Sequence, residues 1–221
     1  NPDLKAETAY NADFGVAKIF SELLKLEATV FYTYLDNAMV RRDFELNGMD
    51  EIMYDGELSR VQAIQNAARA EVYGFQVGAE LKLPAGFSFS TMYNYQYGEE
   101  ELENGQRSRL RHAAPAFGNS KLNYSAHKWR LSLYADYHSE VAFDNLPEEE
   151  RGKTEIYAAD SNGNPYSPAW YTLNFKAQFQ LNKIMSITSG VENITDQRYR
   201  PYSSGISASG TNFIIALKAN F

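Results

Sequence analysis

The feature that most restricts this chain is a strict alternation of apolar and polar residues, repeated in many separate stretches. From Tyr171 one column reads Tyr171, Leu173, Phe175, Ala177, Phe179, Leu181 and the other Thr172, Asn174, Lys176, Gln178, Gln180. Trp129, Leu131, Leu133, Ala135 and Tyr137 oppose Arg130, Ser132, Asp136 and His138. Tyr73, Phe75, Val77, Ala79 and Leu81 oppose Gly74, Gln76, Gly78, Glu80 and Lys82. The final stretch sets Phe213, Ile215, Leu217, Ala219 and Phe221 against Asn212, Lys218 and Asn220. A period of two puts successive side chains on opposite faces of a strand, so each strand has one apolar and one polar face. The fold class is therefore all-β and antiparallel.

Nine strands are expected, at about 6–17, 24–38, 69–83, 86–97, 116–125, 128–139, 169–181, 184–193 and 209–221. Most exceed the ~5–6 residues usual in soluble sheets, and a tilted strand of about 9–11 residues crosses a bilayer. The connections alternate in length. Short links at 19–23, Pro84-Ala85-Gly86, Ala126-His127 and Asn182-Lys183 alternate with long ones at 39–68, 98–115, 140–168 and 194–209. Membrane barrels have this asymmetry, with tight turns on one side and large loops on the other. A soluble sandwich or lipocalin-like module is the alternative, and it requires the apolar columns to be buried between sheets. Up-and-down bacterial barrels close with an even strand number, so nine strands imply an arc of a larger barrel. Asn1-Pro2-Asp3 shows neither an initiator Met nor a leader, so either a leader is removed or the chain is cut from something longer, and an arc of a larger barrel fits the second.

Composition excludes several other classes. There are 16 Tyr and 13 Phe, but no Cys, so disulfides and thiolate metal sites are ruled out. A net charge of -7 disfavours nucleic acid as a partner. The longest apolar run, Phe213 to Leu217, is too short for a membrane helix. Leu58, Val61, Ile64 and Ala68 fall at near-helical spacing, which allows a short loop helix; the other possibility is loop running into the strand at Ala70.

Catalytic and metal chemistry find little support. His112, His127 and His138 form no close ligand pair. His138 and Ser139 are adjacent on a strand and point apart, so they are not a nucleophile–base pair. The acidic runs at Glu99–Glu103 and Glu148–Glu150 lack the spacing of a calcium loop and suit solvated loops. The sequons at Asn123 and Asn193 carry no functional weight. Arg107, Arg109 and Arg111 alternate and could attract an anionic ligand, or could simply form a polar loop-to-strand junction. Trp170, Tyr199 and Tyr202 could stack on a ligand ring, or pack the loops.

Three segments carry a family resemblance. Asn1-Pro2-Asp3-Leu4-Lys5-Ala6-Glu7 resembles the Asn-Pro-x-Leu-Lys-Pro-Glu motif of TonB-dependent outer-membrane receptors, with Ala6 replacing the second proline. Asn193-Ile194-Thr195-Asp196-Gln197-Arg198-Tyr199 resembles that family's Asn-Leu-x-Asp-x-x-Tyr segment. The terminal Phe221 resembles the aromatic signal read by the barrel assembly machinery. The resemblance implies the last part of a barrel of about 22 strands. It further implies a plug and a TonB-contacting segment upstream, a Gram-negative outer-membrane location and no cofactor. Its cargo would be a scarce small molecule: a ferric siderophore, haem, cobalamin or an oligosaccharide. On that footing the polar faces line a wet lumen and the apolar faces meet lipid. Tyr32, Tyr34, Tyr95, Tyr97, Tyr137 and Trp170 then form an aromatic girdle on the long-loop side. A passive porin is the second alternative.

Overall fold

The computed structural model describes residues 3–66, 69–101, 105–111 and 113–220. In chain order the strands are β1 (Thr8–Phe20), β2 (Leu24–Asp36), β3 (Met39–Asp43), β4 (Glu51–Tyr54), β5 (Glu57–Arg60), β6 (Gln62–Asn66) and β7 (Arg69–Lys82). They continue as β8 (Phe87–Glu101), β9 (Arg107–Arg109), β10 (Phe117–Ala126), β11 (Trp129–His138), β12 (Ala158–Ala159) and β13 (Pro165–Tyr166). The last three are β14 (Trp170–Gln180), β15 (Met185–Glu192) and β16 (Asn212–Ala219). Among the described residues no helix is long and apolar enough to cross a membrane.

One antiparallel sheet contains all nine expected strands, in the order β1-β2-β7-β8-β10-β11-β14-β15-β16, with β9 added against β8. Every neighbour is sequential along this meander, and β1 and β16 are its open edges, so the sheet is an arc. Register carries the alternation across the arc. Val16, Ala28, Val77, Tyr93, Gly118, Tyr137 and Tyr171 lie in one continuous cross-strand row. A slip of one residue anywhere would turn a strand's apolar column to the other face.

Burial is inverted relative to a soluble protein. On β14 the polar Thr172 and Asn174 are 4% and 3% exposed, whereas Tyr171 is 58% exposed. Phe14, Val30, Leu133, Phe175, Phe213 and Leu217 are exposed as well. No second sheet covers these columns among the described residues, which removes the sandwich alternative. An apolar surface of this extent needs an apolar solvent, and a bilayer is one. The Trp129-to-Tyr137 column runs about 27 Å along its strand, so even after tilt it reaches most of the way across an apolar band about 25 Å tall.

Aromatic residues border that surface at both ends. On the long-loop side Tyr73 stacks on Tyr97 (5.2 Å between centroids), Phe75 on Tyr95 (5.5 Å), and Tyr10 meets Tyr34 (6.3 Å). Trp129 with Phe179 (4.6 Å) and Phe87 with Tyr124 (4.7 Å) mark the short-turn side, a second belt that the sequence reading did not anticipate. Trp170 does not belong to the girdle. It pairs with His138 on the polar face, one register step from the outward Tyr137–Tyr171 pair.

Boundaries shift where the loops reach down to the sheet. The fourth wall strand, β8, continues past Tyr97 to Glu101 because β9 gives its edge a partner. β1 continues to Phe20, paired with Leu24 across the turn. Gly86, at φ 86°, makes the tight turn after Pro84, where a Cβ would overlap the Ser125 carbonyl oxygen. Residues 37–66, the described part of the next connection, are neither helix nor irregular loop. They form a two-tier ribbon in which β3 pairs with β6 and β4 pairs with β5. Leu58 and Ile64 stand on separate strands, so their helical spacing is coincidental; Ala68 lies outside the described residues.

Candidate functional site at the long-loop end

The last long connection, 193–211, closes on a clasp built from the second family-like motif. Asn193, almost fully buried, receives its place from its own amide, which donates to Asn174 Oδ1 at 2.8 Å. Its Nδ2 donates to the carbonyls of Gln197 (2.9 Å) and Ser209 (3.1 Å), its Oδ1 accepts from Gln197 N (2.9 Å), and its carbonyl accepts from Thr211 Oγ1 (3.0 Å). Asp196 Oδ1 accepts from Thr211 N at 3.0 Å. Both residues have positive φ, 50° and 51°, a conformation that Asn and Asp tolerate better than other residues with a Cβ. The side chains thus take the hydrogen bonds that β15 and β16 no longer supply, and β16 starts at Asn212 rather than 209.

The motif ends on an aromatic stack. Tyr199 lies on Trp170 with centroids 4.1 Å apart and planes 29° apart, and Trp170 lies parallel to His138 at 5.4 Å. Below this stack, on the polar face, is a cleft of about 490 Å³ lined by Asn94, Asp136, His138, Trp170, Tyr202 and their neighbours. Asp136 there accepts from Asn119 and from Asn174 Nδ2 (3.2 Å). Two buried donors, Asn94 Nδ2 and Trp170 Nε1, have no acceptor among the described residues. Buried donors left unmet cost about 1–3 kcal/mol each, so the cleft favours an occupant with acceptor atoms.

Three long connections are knitted together by Glu150, whose side chain is fully buried. Its Oε1 meets Arg111 Nε at 2.8 Å and Lys153 Nζ at 2.7 Å. Its Oε2 accepts from the Tyr157 hydroxyl and from Ser203 Oγ (3.2 Å). Val141, Leu146 and Tyr157 form a small apolar core beside it, against Ile156 and Tyr202. Burial alone would raise the Glu150 carboxyl, but the Lys153 and Tyr157 hydrogen bonds and the Lys153 and Arg111 charges outweigh it and hold it below the ordinary range. Burial and the Glu150 charge push the Tyr202 phenol up to about 12.

The three alternating arginines do not converge. Arg107 pairs with Glu99 (3.2 Å) and Glu71 (3.9 Å), and Arg111 with Glu149 (3.4 Å) and Glu150. Arg109 lies over the Tyr97 ring, 3.5 Å from its centroid, and donates to Asn145 Oδ1. It shares a cavity of about 250 Å³ with Tyr202. A third cavity, about 300 Å³, lies between the connections 139–169 and 193–211 and is lined by Trp170, Tyr199, Arg198 and Arg200 among others. Trp170 and Pro201 are common to it and to the larger cleft. The sequence reading missed Arg198, Arg200, Glu150, Asn94 and Asp136 as site residues. Flanking of a motif tyrosine could have flagged the two arginines, but nothing distinguishes Glu150 within a run of three glutamates.

The first motif also secures a loop. The Lys5 backbone exchanges hydrogen bonds with the Asn66 side chain (2.8 and 3.0 Å), and Glu7 Oε2 accepts from Met39 N at 2.8 Å. These three bonds hold the base of the ribbon. Leu4 is exposed. Asn1, Pro2, His112 and Phe221 lie outside the described residues.

The family model described as TonB dependent receptor-like, beta-barrel, matches residues 1–194. Among solved structures, the copper transporter OprC superposes with a TM-score of 0.74 at 13% identity, covering 99% of this chain and 32% of its own. The ferric enterobactin receptor PfeA of Pseudomonas aeruginosa, as a mutant, gives 0.71 at 19%, covering 100% and 32%. The siderophore receptor PirA of Acinetobacter baumannii gives 0.71 at 17%, covering 100% and 33%. At these identities the likeness is one of fold, and the chain spans about a third of the length of those proteins. A search of curated protein sequences finds no match.

Proposed function

The chain belongs to the TonB-dependent receptor β-barrel family, and from that premise we propose that it forms part of the wall and outer mouth of a receptor for active uptake of a small ligand across the Gram-negative outer membrane. The family is one of transport receptors, not enzymes. The observation that carries the proposal is the set of adjoining cavities at the long-loop end, joined through Trp170 and Tyr202. They sit where ligand from the medium arrives first, above a polar face that suits a wet lumen.

Within this proposal the apolar face contacts outer-membrane lipid, and Phe221 is the signal for the barrel assembly machinery. A plug and the TonB-contacting segment lie on the part of the protein upstream of Asn1. The ligand candidates of the mouth are Trp170, Tyr199, Tyr202 and the arginines at 107, 109 and 111.

Planar-bilayer conductance of the full-length protein, paired with binding of TonB's periplasmic domain, tests the uptake reading. A closed barrel that binds TonB is expected. An open, ohmic channel without TonB affinity would replace it with the porin alternative.

A further inference from the structure

Among the described residues, the outward face of the wall carries a single charge between the Tyr73–Tyr97 girdle and the short turns. The register puts apolar, aromatic or small hydroxyl side chains and one glycine at every other outward position, and Lys18 of β1 at this one. A lysine facing lipid is costly at mid-bilayer and tolerated near an interface, where its stem lets the ammonium reach the headgroups. Lys18 stands about 7 Å along the strand from Phe20, the last residue of β1, which leads into the short turn at 21–23. Its Nζ leans that way, 5.1 Å from the Phe20 ring centroid.

No described carboxylate answers this ammonium with an ion pair. Beside it lies an open, mostly apolar groove of about 440 Å³ spread over β1, β2, β7 and β8. Ala28 and Ala79, diagonal neighbours across β2 and β7, leave the hollow, and Phe20, Leu26 and Tyr93 stand around them. Glu27, which also belongs to the lining, turns to the polar face, where it covers Gly78 and pairs with Lys25 at 2.7 Å. From Lys18 the groove therefore runs away from the short turns, toward mid-bilayer. A peptide segment would bring unpaired backbone groups into hydrocarbon, which lipid does not tolerate. A cation at the interface with a hydrocarbon trough leading inward instead matches the two halves of a phospholipid, its phosphate and its acyl chain.

We propose that one phospholipid of the periplasmic leaflet docks at this place, its phosphate on the Lys18 ammonium and one acyl chain over Ala28 and Ala79. The short-turn position of Lys18 selects that leaflet. The inference rests on the outer-membrane placement in the proposed function, and adds to it a lipid site with a positioning charge and a shaped chain seat.

Native mass spectrometry tests this on the full-length protein, extracted in detergent, stripped of lipid and mixed with phosphatidylglycerol or with the diacylglycerol of the same chains. Retention of one phosphatidylglycerol per protein is expected under conditions where diacylglycerol is lost. Lys18→Gln should weaken retention about tenfold, the loss of one charge-assisted hydrogen bond, and Lys18→Arg should keep it. Ala79→Phe, which preserves the charge and fills the hollow, should weaken it as well. Lys218→Gln, the same charge change on the polar face, should have no effect. All four side chains lie on the surface of the wall, and heat-modifiable migration of each variant checks that its barrel is folded. Equal retention of the two lipids, retention of neither, or several phospholipids held regardless of Lys18→Gln and Ala79→Phe would each overturn the proposal. So would a preference for lipid A, or a second copy of the protein retained in place of lipid. Conductance and TonB binding judge the uptake reading separately, so either can fail alone.

Discussion

The ring of Tyr199 lies on the indole of Trp170, 4.1 Å between centroids, and this contact joins the end of a loop motif to the inner face of the sheet. Trp170 is the first residue of β14, so the stack fixes the connection 193–211 to a rigid strand. Replacing Tyr199 with Ala should loosen that connection by about 0.5–1.5 kcal/mol beyond the lost apolar area. Tyr199→Phe should leave it almost unchanged. Amide hydrogen exchange at Ala208, whose N–H donates to the Tyr199 carbonyl, reads the difference.

Asn193 should matter more than its motif partner. Asn193→Ala removes three side-chain hydrogen bonds inside a buried neck, an expected loss of about 2–4 kcal/mol at about 1 kcal/mol per bond plus the unmet groups left behind. Asp196→Ala removes the acceptor of Thr211 N and should cost about 1 kcal/mol. Limited proteolysis between 193 and 211 ranks the two, and equal cleavage rates would contradict the clasp.

The two faces of β16 predict opposite tolerances. Leu217 pairs with Ile187 on the apolar face, and Lys218 with Ser186 on the polar one. Leu217→Arg should cost about 2–4 kcal/mol if it lies near mid-bilayer, and Lys218→Ala much less. Urea titration of the full-length protein folded into vesicles gives both numbers, and equal costs would reverse the assignment of faces.

Glu150 makes loop order depend on pH. Its carboxyl is held below the usual range in the folded protein, so the stabilisation is complete above the ordinary carboxylate pKa of about 4.3 and is lost as pH falls below it. Protection from hydrogen exchange at Tyr157 and Ser203, measured against the intrinsic exchange rate at each pH, should therefore be flat across neutral pH and fall in acid. Glu150→Ala should cost about 3 kcal/mol of local stability at neutral pH, since it leaves Arg111 and Lys153 without their carboxylate, and should abolish the acid step.

How far the sequence shows this molecule depends on the distance over which each signal acts. The wall strands are legible because alternation is a local signal that every residue of a strand repeats, and all nine are found near their expected places. The ribbon from β3 to β6 is not read from the sequence although its turns are in view. Asn47-Gly48 and Asp55-Gly56 take the paired positive φ values of tight hairpin turns, 55° and 76°, then 49° and 85°. The helical spacing of Leu58, Val61 and Ile64 obscured them. Trp170 was placed on the wrong face because an aromatic residue at a strand end suits either a girdle or a lumen. Only its pairing with His138 decides between them. The partners of Arg107, Arg111 and Glu150 come from other connections, and no pattern along one strand announces a contact made across loops.

Glu150 also bears on how such a mouth can be altered. Its four partners come from the segment after β9, from its own connection and from the connection before β16. A graft that exchanges only one of these connections for a relative's would strand either the carboxylate or its cations. The grafting unit is the trio, which carries Arg111 with it, while the ribbon also reaches the Glu101 carbonyl of β8 through Arg42, so a swapped ribbon must keep Arg42 and the Asn66 that holds the Lys5 backbone.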